Sequence, residues 1–278
     1  MGFSSVLCAR VTQLLFAAGL PAGACILIGI TSAVLGSLLA GLASGRLVAR
    51  YRVPPFIATL GVLGVVTGIT LHISGGFPVG NLPPVITEIG NGYLLYFHPP
   101  SRVLSFFSRP AGVAETQIRE LVRIIPNSVL FILLFVTVLW HLLKNTRFGL
   151  HTYAIGGSRD AALRSGIDVQ RHLTVIYVLS AFLSGLAGIF FVFQTGIGNH
   201  TPWGANYELF AIAAVIIGGA SLMGGKGRIM ASAIGVIVLK VLENGLTLSG
   251  IEPFYRYIAV GLILIVAVVI DQLFPDLF

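Results

Sequence analysis

The chain is predicted to be an all-α polytopic membrane protein with about seven or eight transmembrane helices and broken or re-entrant segments. Three observations predict it. Of its 278 residues 56% are apolar and only 10% charged, far below the roughly 25% charged residues of an ordinary soluble domain. The apolar residues gather into long runs, several close to the ~20 residues that cross a bilayer. Most Lys and Arg residues stand in the short segments between those runs. One membrane domain, 1–278, accounts for the length.

In chain order the runs lie at 6–18, 20–43, 55–73, 126–143, 172–194, 208–223, 229–248 and 254–270. Seven are firm spans. The first is short, carries Arg10 and is parted from the next only by Gly19, Leu20 and Pro21, so it reads as a partial or tilted segment. The sixth is also short and ends in Gly218, Gly219, Gly224, Gly225 and Gly227, which weaken a helix and favour a hinge or an unwound stretch facing a cavity. Within the spans, Gly41 with Gly45 and Gly64 with Gly68 have the small-x-x-x-small spacing that lets helix backbones approach.

Loop charge orients the spans. Alternating them puts Arg46, Arg50, Arg52, Lys144, Arg147, Arg159, Arg164, Arg171, Lys226 and Arg228 on one side, ten of the seventeen basic residues. Positive loops stay in the cytoplasm, so 44–54, 144–171 and 224–228 are expected there, in a multi-pass membrane protein. The opposite side receives 74–125, in which six prolines from Pro78 to Pro110 preclude a long helix and leave room for a short interfacial one near 114–122.

The net charge of +7 is therefore a topology signal rather than a nucleic-acid face, and membrane lipid is the expected contact. Cys8 and Cys25 have neither disulfide nor zinc spacing and read as buried, inert thiols. His72 and His200 read as satisfied interfacial residues. Lys240 and Glu243 stand one helical turn apart inside a span, compatible with a mutual ion pair, a polar translocation path or interfacial snorkelling. No catalytic constellation is present, and Gly-x-x-x-x-Gly-Lys-[Ser/Thr] does not occur. The chain is not expected to be an enzyme or to hold a cofactor; any ATP would be used by another chain.

That expectation directs attention to the polar loop 144–171. Ser158 can cap a helix start, Asp160 suits the positive N-terminus and Gly166 suits a left-handed stop, giving a helix of about two turns. Ala161, Ala162 and Ser165 would form a low-relief face for a partner's groove, flanked by Arg159 and Arg164. A plain capped connector is the other reading.

The stretch Tyr153-Ala-Ile-Gly-Gly-Ser-Arg-Asp-Ala-Ala-Leu-Arg-Ser-Gly-Ile167 resembles the cytoplasmic coupling loop of ribose-type sugar permeases of bacterial ABC importers. Similar words of that family recur in Pro54-Pro-Phe-Ile-Ala-Thr-Leu-Gly61, in Tyr207-Glu-Leu209, from Ala211 to Leu222, in Gly224-Gly-Lys-Gly227 and in Asn244-Gly-Leu-Thr-Leu248, so the resemblance covers about residues 4–271. It implies a permease that pairs with a second copy, identical or related, and with an ATP-binding subunit. A periplasmic sugar-binding protein would deliver solute to 74–125.

By the same resemblance Asp160, Ala161, Ala162 and Gly166 match the family's acidic-Ala-Ala-x-x-x-Gly signature, and the ATPase-coupling set is Gly156, Gly157, Ser158, Arg159, Asp160, Ala161, Ala162, Arg164, Ser165 and Gly166. Thr59, Ser221 and Asn244 are candidates for a polar translocation path. Family members usually begin with a further span, so the N-terminus reads as shortened, and Glu243 replaces a neutral polar residue. The expected function is import of a small hydrophilic solute, a monosaccharide such as ribose. A branched-chain amino acid permease and an ATP-independent transporter or channel are the alternatives.

Overall fold

Prolines and glycines set most helix boundaries in the computed structural model, which describes residues 1–98, 103–106, 122–202, 207–221 and 224–273. The helices that overlay the apolar runs are α1 (Gly2–Ala17), α2 (Ala22–Ala49), α3 (Pro55–Ser74), α5 (Asn127–Asn145), α8 (Val169–Thr195), α9 (Tyr207–Ile217), α10 (Ile229–Leu248) and α11 (Pro253–Leu273). Pro55 opens α3, where a missing N–H costs no hydrogen bond, and Gly75 closes it at φ 66°. Among the described residues α2, α3, α5, α8 and α10 are long and apolar enough to cross a membrane, while α1 and α9 are shorter apolar helices. At 1.5 Å per residue the 28-residue α2 is about 42 Å long, more than the ~30 Å hydrocarbon core. It therefore runs through Ala49, into the segment expected to be a loop from residue 44.

The chain divides into two compact units, Met1–Leu133 with Leu173–Trp203 and Leu134–His172 with Gly204–Phe278. In the first, α1 folds back on α2 through a turn in which Gly19 takes φ 83°. The first half of the partial segment is buried in that unit: Val6 and Ala9 are fully buried, packed with Ile26, Val79, Ile86 and Val192. Small residues make this seam possible. A Cβ on Gly41 would lie 2.6 Å from the Ala181 Cβ, one on Gly45 would lie 3.0 Å from the Thr174 Cα, and one on Gly188 would collide with the Met1 carbonyl and the Ser4 hydroxyl. The second glycine pair is different, since Gly64 and Gly68 on α3 face open space.

The segment 74–125 is anchored to the same unit. Val79 and Gly198 exchange two backbone hydrogen bonds of 2.8 Å, and the short helix α4 (Val85–Gly90) buries Ile86 in the α1 cluster. Asn91 donates from Nδ2 to the Gln194 carbonyl at 2.9 Å. Three strands follow, β1 (Tyr93–His98), β2 (Val103–Phe106) and β3 (Val122–Pro126), forming an antiparallel sheet in the order β2-β1-β3. These are short runs rich in aromatic and β-branched residues, the composition that fits a pleated surface. The interfacial helix expected near 114–122 falls almost wholly outside the described residues; its last position, Val122, begins β3.

In the second unit α9 stops at Ile217, six residues before the end of its apolar run. Positive φ at Gly219, Gly224, Gly225 and Gly227 carries the chain through a loop to Arg228, and α10 begins at Ile229. The weakened span end is thus an unwound stretch. Close packing of α9 on α10 relies on Gly218 and Gly235, whose hydrogens face the Ser232 Cα and the Ala214 carbonyl.

Candidate functional site

Segment 144–171 holds two helices rather than one. Thr146 precedes α6 (Arg147–Gly157), Ser158 breaks the chain with extended backbone (φ −157°, ψ 111°), and α7 (Arg159–Arg164) follows. The Ser158 hydroxyl accepts from the Ala161 N–H at 3.3 Å, Asp160 stands in the first turn, and Gly166 takes φ 80° beyond the C-cap. The sequence hides α6 because Gly149, Gly156 and Gly157 read as loop residues. In the fold they are contact points: a Cβ on Gly149 would strike the Leu143 backbone, and one on Gly156 would lie 2.5 Å from the Gly225 nitrogen.

Within this unit α6 is held on two sides. Tyr153 donates its hydroxyl hydrogen to the Gly227 carbonyl at 2.8 Å, and Gly156 lies so close to Gly224 and Gly225 that a Cβ on Gly156 or Gly224 would clash and one on Gly225 would crowd Gly157, whereas a Cβ on Gly157 itself would meet open space. On the other side Thr152 Oγ1 and His172 Nε2 are 2.9 Å apart, with the Phe148 ring 4.7 Å from the imidazole. A displacement of α6 therefore acts directly on the glycine loop between α9 and α10.

Of the residues singled out in the sequence, Ser158, Arg159, Asp160, Ala161, Arg164, Ser165 and Gly166 are exposed together on and around α7. Ala162 turns inward and is 3% exposed, so the outward face carries Ala161 and Ser165 without it. Leu163, not singled out, is 61% exposed beside them. An apolar residue left in water within a polar loop was the available signal. Gly156 belongs to the packing against the glycine loop, while Gly157 is exposed beside it.

The three path candidates fall in different units. Thr59 lies on α3 of the first unit, its hydroxyl donating to the Pro55 carbonyl at 2.9 Å. Ser221 and Asn244 belong to the second: Ser221 opens the glycine loop, its backbone N–H donating to the Lys226 carbonyl at 3.2 Å, and Asn244 is exposed on α10. Lys240 and Glu243 form an ion pair of 2.8 Å, and the Lys240 ammonium also lies 5.2 Å from the Tyr207 ring centre. Cys8 and Cys25 are free and buried. His200 departs from expectation, since its Nδ1 is buried without a hydrogen-bond partner.

The family described as branched-chain amino acid transport system / permease component matches residues 1–268. The ribose import permease protein RbsC of Bacillus subtilis is 38% identical over 229 residues, 82% of this chain and 63% of that protein. Its Haemophilus influenzae counterpart is 35% identical over 243 residues, 86% and 66% of the two chains. The fructose import permease protein FrcC of Rhizobium meliloti is 32% identical over 273 residues, 98% and 68%. The chain thus spans less than two thirds of the length of the two ribose permeases. No solved structure matches it.

Proposed function

Because the chain belongs to the branched-chain amino acid transport system / permease component family, and is a multi-pass inner-membrane protein, we propose that it is the membrane-spanning subunit of an ATP-driven, binding-protein-dependent importer. Its solute is a small hydrophilic molecule, a monosaccharide such as ribose. ATP is hydrolysed on a separate ATPase chain, a second permease copy completes the pathway, and a periplasmic sugar-binding protein delivers solute to 74–125. The observation that carries this reading is the linkage of an exposed, capped α7 through α6 to the glycine loop at the start of α10. Nucleotide-driven closure of the ATPases would move the exposed face of Arg159, Asp160, Ala161, Leu163, Arg164 and Ser165. The Tyr153 and Gly156 contacts would pass that movement to α10, biasing one membrane opening over the other.

The family description leaves amino acids open as the solute, and the identity to sugar permeases favours sugars. Uptake of labelled ribose into vesicles holding this chain, a partner ATPase and the binding protein tests the reading. Ribose entry that needs ATP, is not competed by leucine, and is lost with Asp160→Lys or Gly166→Trp is the expected result. Entry into vesicles without the ATPase would contradict it, and competition by leucine would reassign the solute.

A further inference from the structure

The second unit contains a cavity of about 940 Å³ between the end of α5, α6, the glycine loop and the start of α10. Among the described residues three cationic ones line it, Lys144, Lys226 and Arg228, and no acidic one does. Trp140 and Tyr153 supply aromatic walls, with the Lys144 ammonium 4.9 Å from the Trp140 ring centre. The first turn of the 20-residue α10, Ile229 to Ala231, completes the lining, and its N-cap Arg228 makes no side-chain cap, so the first backbone N–H groups remain available to an anion. All three cations belong to loops or helix ends that the charge pattern places at the cytoplasmic interface.

We infer that this cavity binds the phosphate of an anionic phospholipid, with the headgroup among Lys144, Lys226 and Arg228 and an acyl chain along α10. Charge alone would equally suit a soluble phosphate. The lipid is favoured by what leads out of the cavity: Met230, which lines it, is followed at helical spacing by Ile234, Ile237 and Val241, an apolar stripe whose members are 48%, 61%, 61% and 65% exposed. A basic pocket at an interface, rimmed by aromatic residues and continued by an apolar track, has the chemistry of a headgroup site. Since Tyr153 and Gly227 also line the cavity, a bound lipid braces the contact between α6 and the glycine loop.

The test uses the delipidated full chain in detergent, titrated with phosphatidylglycerol, with phosphatidylcholine of the same acyl chains, or with inorganic phosphate, and read by native mass spectrometry. Phosphatidylglycerol should be retained in preference to phosphatidylcholine. Lys144→Gln should weaken it about fivefold and the Lys144→Gln, Lys226→Gln, Arg228→Gln triple variant roughly a hundredfold, following ~1 kcal/mol for each basic residue at an anionic surface. Arg10→Gln, which removes a charge on α1, should change nothing. Equal retention of the two lipids, or undiminished retention by Lys144→Gln, would overturn the proposal. Saturation by inorganic phosphate that displaces the lipid would reassign the site to a free anion. Should the triple variant not fold, the Lys144→Gln arm decides alone.

Discussion

Gly41, Gly45, Gly185 and Gly188 of the first unit lie inside helices, where the missing Cβ leaves room for the facing backbone or small side chains of α1, α2 and α8. Gly219, Gly224, Gly225 and Gly227 of the second lie outside helices at positive φ, against the end of α6. The same residue type serves opposite ends in the two places. In the seam it removes space and fixes helices that already satisfy their own hydrogen bonds. In the loop it permits a conformation that other residues adopt only under strain, and it leaves backbone groups to be met from elsewhere, as Tyr153 meets Gly227. The first arrangement suits a fixed packing seam; the second suits the joint that the proposed coupling needs.

Substitutions separate the two roles. Gly188→Val should have the largest effect on stability, about 3 kcal/mol, because its added atoms meet the Met1 carbonyl and the hydroxyl of Ser4, which is fully buried; thermal unfolding in detergent measures it. Gly225→Val should cost about 2 kcal/mol through its φ of 76°. It should depress solute uptake well beyond what that loss explains, and a proportionate fall in the two would deny the loop a special role. Tyr153→Phe removes one hydrogen bond worth about 1 kcal/mol, so uptake should slow while the melting temperature hardly moves. Gly64→Ala, on the open face of α3, should stay within about 0.5 kcal/mol of the parent. A larger penalty would mean that this face is covered, as it would be by a second copy.

The helices were legible because lipid simplifies the code: a bilayer demands long apolar runs, and those at 55–73 and 229–248 match α3 and α10 to within a residue. The cap at Ser158 and the stop at Gly166 were legible because they depend on neighbours in sequence. What escaped depends on partners distant in the chain. Gly156 and Gly157 look like loop formers until Gly224 and Gly225 are seen against them, and Ala162 looks like surface until the fold buries it. The strands at Tyr93–His98 and Val122–Pro126 escaped because the prolines between them argued against helix without arguing for sheet. Gly64 and Gly68 carry the same spacing as Gly41 and Gly45 and meet nothing among the described residues, so spacing alone does not say which glycines pack.

The central claim is that the outward face of α7 is gripped by an ATPase, and cysteine cross-linking tests it most directly. Cys8 and Cys25 are both buried, so the parent chain gives little background. With the ATPase bound, a bifunctional thiol reagent should join Leu163→Cys to it and should not join Ala162→Cys, whose side chain faces inward. Failure of Leu163→Cys to cross-link, in a complex that still transports solute, would contradict the account.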